Sequence, residues 1–286
     1  MQTEYIKKIT QSLIILPTLS TIAAQLPELL YDEKNKKDNR DSLERIISTC
    51  PVLAARFLKM ANARGEPVTG IHNAVSKLGF EELKDICMEI SLSGFFDLKN
   101  SGVDSQKFWD HCHAVGIAAR IVAQEHKFGL TADEAFTAGL LHDFGKVIFL
   151  HYKSKEFEQA VNLSKSRPCE LYLAESEYLG VNHGQTGAAL ARKWLLPNSI
   201  VEVMQYHHDL ANTEIVNRPL VAIVNFADIL CRILVAGDSG NHAAPAFTVE
   251  LAKELAKWDF NLESSWQSLM ALCIDELDER GLTHYG

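Results

Sequence analysis

Seven side chains in the central part of the sequence have the chemistry to hold a metal ion: His111, His142, Asp143, His183, His207, His208 and Asp228. Five imidazoles and two carboxylates, with no thiolate among them, suit iron, manganese, zinc or a similar first-row ion. Calcium, which takes oxygen ligands, and a structural zinc–cysteine site both fit poorly. Eight of the eleven histidines fall between residues 103 and 240, namely His111, His113, His126, His142, His151, His183, His207 and His208, so chemistry is expected there. Taken singly, each position has a plainer explanation. A histidine near a helix C-terminus, as at His142, is favoured by the helix dipole, and Asp143 beside it could serve only as a cap. Asp228 lies in Leu220–Ala236, a stretch apolar nearly all round, so its carboxylate must be paired or bound to metal. The alternative partner is Arg232, four residues on and on the same helical face. His111 shares the face of Ala114, Val115, Ala118 and Val122 and points to the core, either as a ligand or as a hydrogen-bonded core histidine. His113, about 200° round, falls with Ile117, Arg120 and Gln124. His183 follows Gly180 in a polar turn. His207 and His208, about 100° apart at a helix end, can border one cleft.

Helices must position these groups. Apolar residues recur at helical spacing, as in Leu53, Phe57, Leu58 and Met60, or Val115, Ala118, Ala119 and Val122, which predicts an all-α fold. Thr131 with Glu134 and Ser199 with Glu202 read as capping boxes, and Pro219 suits a first helical turn. Gly129, Gly145 and Gly237 read as helix stops. The polar stretch Asp32–Arg40 is expected to be a surface loop and Asn100–Ser105 a connection. That divides the chain into an N-terminal helical lobe (1–102), a metal-site lobe (103–240) and a C-terminal extension (241–286). The extension carries two amphipathic helices, one around Leu251, Leu255 and Trp258, the other around Trp266, Leu269, Met270, Cys273 and Leu277.

Composition narrows the function. The 286 residues are 47% hydrophobic, enough for a large core, and carry a net charge of -9, without the basic excess that phosphate-backbone binding requires. Nucleic acid is therefore not an expected partner. Six scattered cysteines without a CxxC pair fit a reducing cytoplasm. Leu220–Ala236, the most apolar stretch, is interrupted by Asn225, Asp228 and Arg232 and is short for a membrane span.

A series of motifs then falls in a recognisable order: Leu16-Pro17, Pro51-Val-Leu-Ala-Ala-Arg-Phe-Leu-Lys-Met-Ala-Asn62, Ala74-Val-Ser-Lys-Leu-Gly79, Trp109-Asp-His111, Ala138-Gly-Leu-Leu-His-Asp-Phe-Gly-Lys146, His183-Gly-Gln-Thr-Gly187, Trp194-Leu-Leu-Pro197 and His207-His208. From Leu16 to Ala236 the chain resembles the HDOD family, bacterial regulatory relatives of the HD-type metal-dependent phosphohydrolases. The resemblance implies an HD-like helical core preceded by a packed N-terminal lobe. It implies a primary metal site of His111, His142, Asp143 and Asp228, with His183, His207 and His208 as the added ligands of two-metal members and Asp143 bridging. Asp143 and Lys146 would be the catalytic pair, the lysine approaching a substrate phosphate. One or two divalent ions are implied, iron or manganese ahead of zinc. The implied role is a signalling module that binds a protein partner. The alternative is a phosphohydrolase acting on a nucleotide or phosphodiester. Two departures stand out. Asp-Leu-Ala-Asn-Thr-Glu follows His208 where cyclic-di-GMP phosphodiesterases of the HD-GYP type have Gly-Tyr-Pro, and Cys50 precedes Pro51 where an aspartate is expected.

Overall fold

The computed structural model describes residues 36–79, 82–83, 86, 103–125, 129–258, 260 and 262–283. Leu16-Pro17, Cys87, His126 and His284 lie outside the described residues, as do the first three residues of the expected connection at Asn100.

The first described helices are α1 (Lys36–Ser48), α2 (Pro51–Asn62) and α3 (Ile71–Lys77). The polar stretch Asp32–Arg40, expected as a loop, is helical from Lys36 on. Its helix is secured downstream, where Leu43 and Ile47, four residues apart, are buried. Arg40 also donates to the carbonyls of Val75 and Leu78, at 2.5 and 3.1 Å, at the end of α3. Pro51 opens α2 from Cys50, which sits in extended conformation and makes no side-chain cap bond. The departure at Cys50 thus removes a local cap and leaves the helix in place.

The centre is built on α4 (Ser105–Glu125) and α5 (Ala132–Leu141), which cross tightly. A Cβ on Gly139 would stand 2.7 Å from the Val115 carbonyl oxygen and 2.9 Å from the Gly116 Cα, so only glycine permits this approach. α2 and α3 pack on α5, and the Ile71 N–H donates to Thr137 Oγ1 at 3.1 Å. There follow α6 (Phe144–Tyr152), α7 (Ser154–Ser166), α8 (Leu171–Leu179), α9 (His183–Lys193), α10 (Asn198–Tyr206), α11 (Arg218–Ile233), α12 (Val249–Ala256) and α13 (Leu262–Asp278). α11 packs on α4 and α5, while α13 closes over α4, where Arg120 and Glu276 pair at 2.9 Å. One cluster of buried apolar side chains runs from Leu43 to Leu282. The described residues form helices and a single isolated bridge, Ala236 with Thr283. Among them no helix is long and apolar enough to cross a membrane.

The helix signals are met unevenly. Thr131 caps α5 by accepting from the Glu134 N–H at 3.1 Å, but Glu134 takes the Ser199 hydroxyl and does not complete the box. Ser199 is no cap: α10 starts from Pro197, and Glu202 instead accepts the backbone N–H groups of Val216 and Asn217, at 3.2 and 2.7 Å, ahead of α11. Pro219 does lie in the first turn of α11. Gly145 is not a stop but the second residue of α6, and it is buried against α9. The complete capping box is Asn182 with Gln185, at the start of α9.

His113 lies beside the Phe136 ring, edge to face, on the outer side of α4. Burial, followed by Arg280 and Arg120, pushes its pKa down to about 4 from an ordinary 6.5. The unfolded chain takes up this proton near pH 6.5 and the folded chain only near 4, so the stability present above pH 6.5 is lost as pH falls to 4. The loss attributable to His113 is about 3 kcal/mol. Urea denaturation of the His113→Gln variant at pH 7 and pH 4 is expected to show a smaller drop than the parent by roughly this amount. Equal drops would refute it.

Candidate metal centre

Six helices deliver the seven expected residues to one place. His111 comes from α4, His142 caps the C-terminus of α5, and Asp143 stands at the N-cap of α6. His183 is the first residue of α9 rather than part of the preceding turn, His207 caps α10 with His208 after it, and Asp228 comes from α11. Asp143 lies between two groups. Toward the α4 side, its Oδ2 is 3.3 Å from His142 Nε2 and 4.0 Å from His111 Nε2, and Asp228 Oδ1 is 3.1 Å from His111 Nε2 and 3.9 Å from His142 Nε2. Toward the α9 side, Asp143 Oδ1 is 3.2 Å from His183 Nε2 and 3.7 Å from His207 Nε2, with those two nitrogens 3.3 Å apart. His208 completes this second group. Two ligand atoms each about 2.1–2.2 Å from a metal ion can be at most about 4.4 Å apart, and every one of these separations is shorter.

The rings are aimed by their far sides. His142 Nδ1–H donates to the Gly139 carbonyl at 2.7 Å, and His207 Nδ1–H to those of Val203 and Met204 at 3.0 and 3.1 Å. A carbonyl only accepts, so the proton sits on Nδ1 and Nε2 is left as the inward-facing atom. Glu175 on α8 does the same for His183, accepting both Nδ1–H and the backbone N–H at 2.7 Å, and it is fully buried. Sequence reasoning missed Glu175. It stands among Glu170 and Glu177 on a short helix, and nothing in its spacing marks it as the inward one.

The residues present fit a metal. Nε2 of His111, His142 and His208 and Oδ1 of Asp143 are buried and make no hydrogen bond. Four such atoms in one cluster would be costly without a shared cation. Burial, reinforced by His142 and His183, pushes His207 down to about pKa 3, and burial with His207 and His183 holds His208 well below the ordinary range. Both are thus neutral, the form that ligates. Burial opposes charge on Asp143 and Asp228, yet His142 and Lys146 hold the first carboxylate well below its usual range, and His111, His142 and Arg232 do so for the second. The two readings of Asp228 hold together: Oδ1 faces His111 while Oδ2 lies 3.7 Å from Arg232. Lys146 is buried, its ammonium 2.7 Å from Asp143 Oδ2 and 3.2 Å from the Ser239 carbonyl. Cys112, one residue beyond His111, has its thiol pushed well up by burial and by Asp143, which keeps it neutral.

Fold and centre together define an all-helical protein organised around a histidine–aspartate cluster suited to a divalent metal. The HDOD domain family matches residues 16–210, and the chain belongs to this family. Asp228 and Arg232 lie beyond the matched span. An HDOD domain protein of unknown function from Geobacter sulfurreducens is similar in structure, with 27% identity and a TM-score of 0.54 over 96% of this chain and 97% of that one. The MmoQ response regulator of Methylococcus capsulatus shares the fold, with 20% identity and a TM-score of 0.68 over 90% of this chain and 98% of that one. An uncharacterized protein of Treponema pallidum is 22% identical over 257 residues, 85% of this chain, which spans about half the length of that relative.

Proposed function

We propose that this protein is a regulatory HDOD module that acts by binding a protein partner, with a His/Asp centre that takes one or two divalent transition ions. The observation that carries the metal reading is the convergence of seven side chains from six helices, four of whose ligand atoms are buried without a hydrogen bond. Family membership and the likeness to a response regulator support the regulatory role. The all-imidazole and carboxylate set favours iron or manganese, with zinc next.

Phosphoester hydrolysis is the second reading, and Lys146 favours it. A buried ammonium against the shared carboxylate can hold Asp143 charged and offer a cation to a phosphate oxygen. A bound ion there would supply Lewis acidity and an activated water. The segment after His208 is secured by Arg218, which donates to the carbonyls of Leu210 and Asn212 at 2.6 and 2.8 Å, and it lacks Gly-Tyr-Pro.

Elemental analysis of protein purified without chelator is expected to give one to two equivalents of iron or manganese, and absence of any transition metal would overturn the metal reading. A panel of nucleotides and phosphodiesters then separates module from enzyme. Cyclic-di-GMP turnover is expected below about 1 s⁻¹ even with metal bound. Faster turnover would establish the enzyme.

A further inference from the structure

His208 is held differently from the other histidines of its group. His183 and His207 each give Nδ1–H to a fixed acceptor, as His142 does across the centre, whereas no hydrogen bond holds either ring nitrogen of His208 among the described residues. It lies in the turn two residues beyond the end of α10 and is half-buried, where His183 and His207 are buried. A cavity of about 320 Å³ opens beside it, lined by Tyr172, Gln185, Gln205 and Asp209 among others. An imidazole without a hydrogen bond has room there for its other rotamers. What faces it is the Tyr172 ring, from the first turn of α8, with centroids 5.0 Å apart and planes 13° from parallel. His207 lies 4.0 Å away at 47°, and His183 meets it edge-on at 5.1 Å. Tyr172 precedes Glu175 by three residues, so the two share a face of α8. α8 supplies no ligand, yet Glu175 aims His183 and Tyr172 backs His208.

We propose that Tyr172 is the positioning residue for His208, holding its ring in the ligating rotamer and so setting the affinity of the second ion without affecting the first. The inference rests on the metal reading and deepens it. The first group, His111, His142 and Asp143, takes its orientation from the Gly139 carbonyl and Asp228. In the second group an ion meets His208 productively only in one rotamer, so its affinity falls with the fraction of time that rotamer is populated. Losing one stacked ring pair is expected to cost about tenfold, equivalent to about 1.4 kcal/mol and within the reach of an aromatic pair. Asp143, His183 and His207 remain, so the second ion is weakened rather than abolished.

The test is titration of the chelator-stripped full chain with Mn²⁺, followed by electron paramagnetic resonance, in which a coupled pair reports the second ion. The parent is expected to bind two ions in two steps. Tyr172→Leu keeps an apolar side chain and a good helix former but no flat ring. It is expected to bind the first ion as the parent does, which also shows that it is folded, and the second about tenfold more weakly. Tyr172→Phe is expected to restore the second step, because the Tyr172 hydroxyl makes no hydrogen bond among the described residues. His208→Ala is expected to weaken that step at least as much, and adding Tyr172→Leu to it to change nothing further, since the tyrosine acts through His208. An unchanged second step in Tyr172→Leu would overturn the proposal, as would loss of both ions or a further loss in the double variant. A parent that takes a single ion would also overturn it and leave the metal reading standing, whereas a parent that takes none would remove both.

Discussion

Asp143→Asn is expected to empty the centre of metal, taking the content from one or two equivalents to below about a tenth, because this one carboxylate is shared by both groups of ligands. Its Oδ2 faces His142 and His111, and its Oδ1 faces His183 and His207, within 3.2–4.0 Å. An amide keeps the shape but loses the charge and one acceptor, and among the described residues Asp143 is the one ligand present in both groups. The same change strands Lys146, whose ammonium is 2.7 Å from Oδ2 in a fully buried setting. Breaking a buried pair by removing one partner destabilises by about 3–5 kcal/mol. A second variant therefore separates ligation from stability. Asp143→Asn with Lys146→Met removes the stranded cation and is expected to recover most of that loss in urea denaturation, without recovering metal. An Asp143→Asn protein that keeps its full metal content would refute the bridging role.

The sequence is most legible where function and local pattern coincide. His142 and Asp143 are neighbours, and a helix end necessarily presents both to whatever lies beyond it. Asp228 is marked by its apolar surroundings, since a carboxylate on a buried face needs a partner, and it has both kinds, His111 of the centre on one oxygen and Arg232 near the other. Elements defined by long-range approach are less legible. Lys36–Arg40 reads as a polar loop in composition, yet buried Leu43 and Ile47 and the reach of Arg40 to the end of α3 secure it as helix. Glu175 has no periodic signature, because its role depends on α8 lying beside the start of α9, and the bond to His183 exists only in the folded chain. Gly145 misleads for the same reason. A glycine after a helix is most often a stop, whereas this one is an approach surface.

Gly145 carries the second large effect. A Cβ there would stand 1.8 Å from the His183 carbonyl oxygen, 2.6 Å from its carbonyl carbon and 2.9 Å from the Gly187 N, all backbone atoms that cannot swing aside. α6 and α9 must separate to admit even a methyl group. α6 carries Asp143 at its N-cap and α9 begins with His183, so the separation opens the 3.2 Å gap between Asp143 Oδ1 and His183 Nε2. Overpacking of this kind destabilises by about 1–3 kcal/mol. Displacing the His183 side of the centre is expected to weaken metal binding by at least about tenfold, the scale seen when ligand positioning is disturbed. Gly145→Ala should therefore lower both the urea midpoint and the metal affinity. Gly129→Ala is the control: Gly129 has φ of +72° and nothing within 4 Å of where a methyl group would stand, so the change introduces backbone strain alone. That variant is expected to lose about 1 kcal/mol and to bind metal as the parent does. A Gly145→Ala protein with the parent's metal affinity would show that the α6–α9 contact does not position His183.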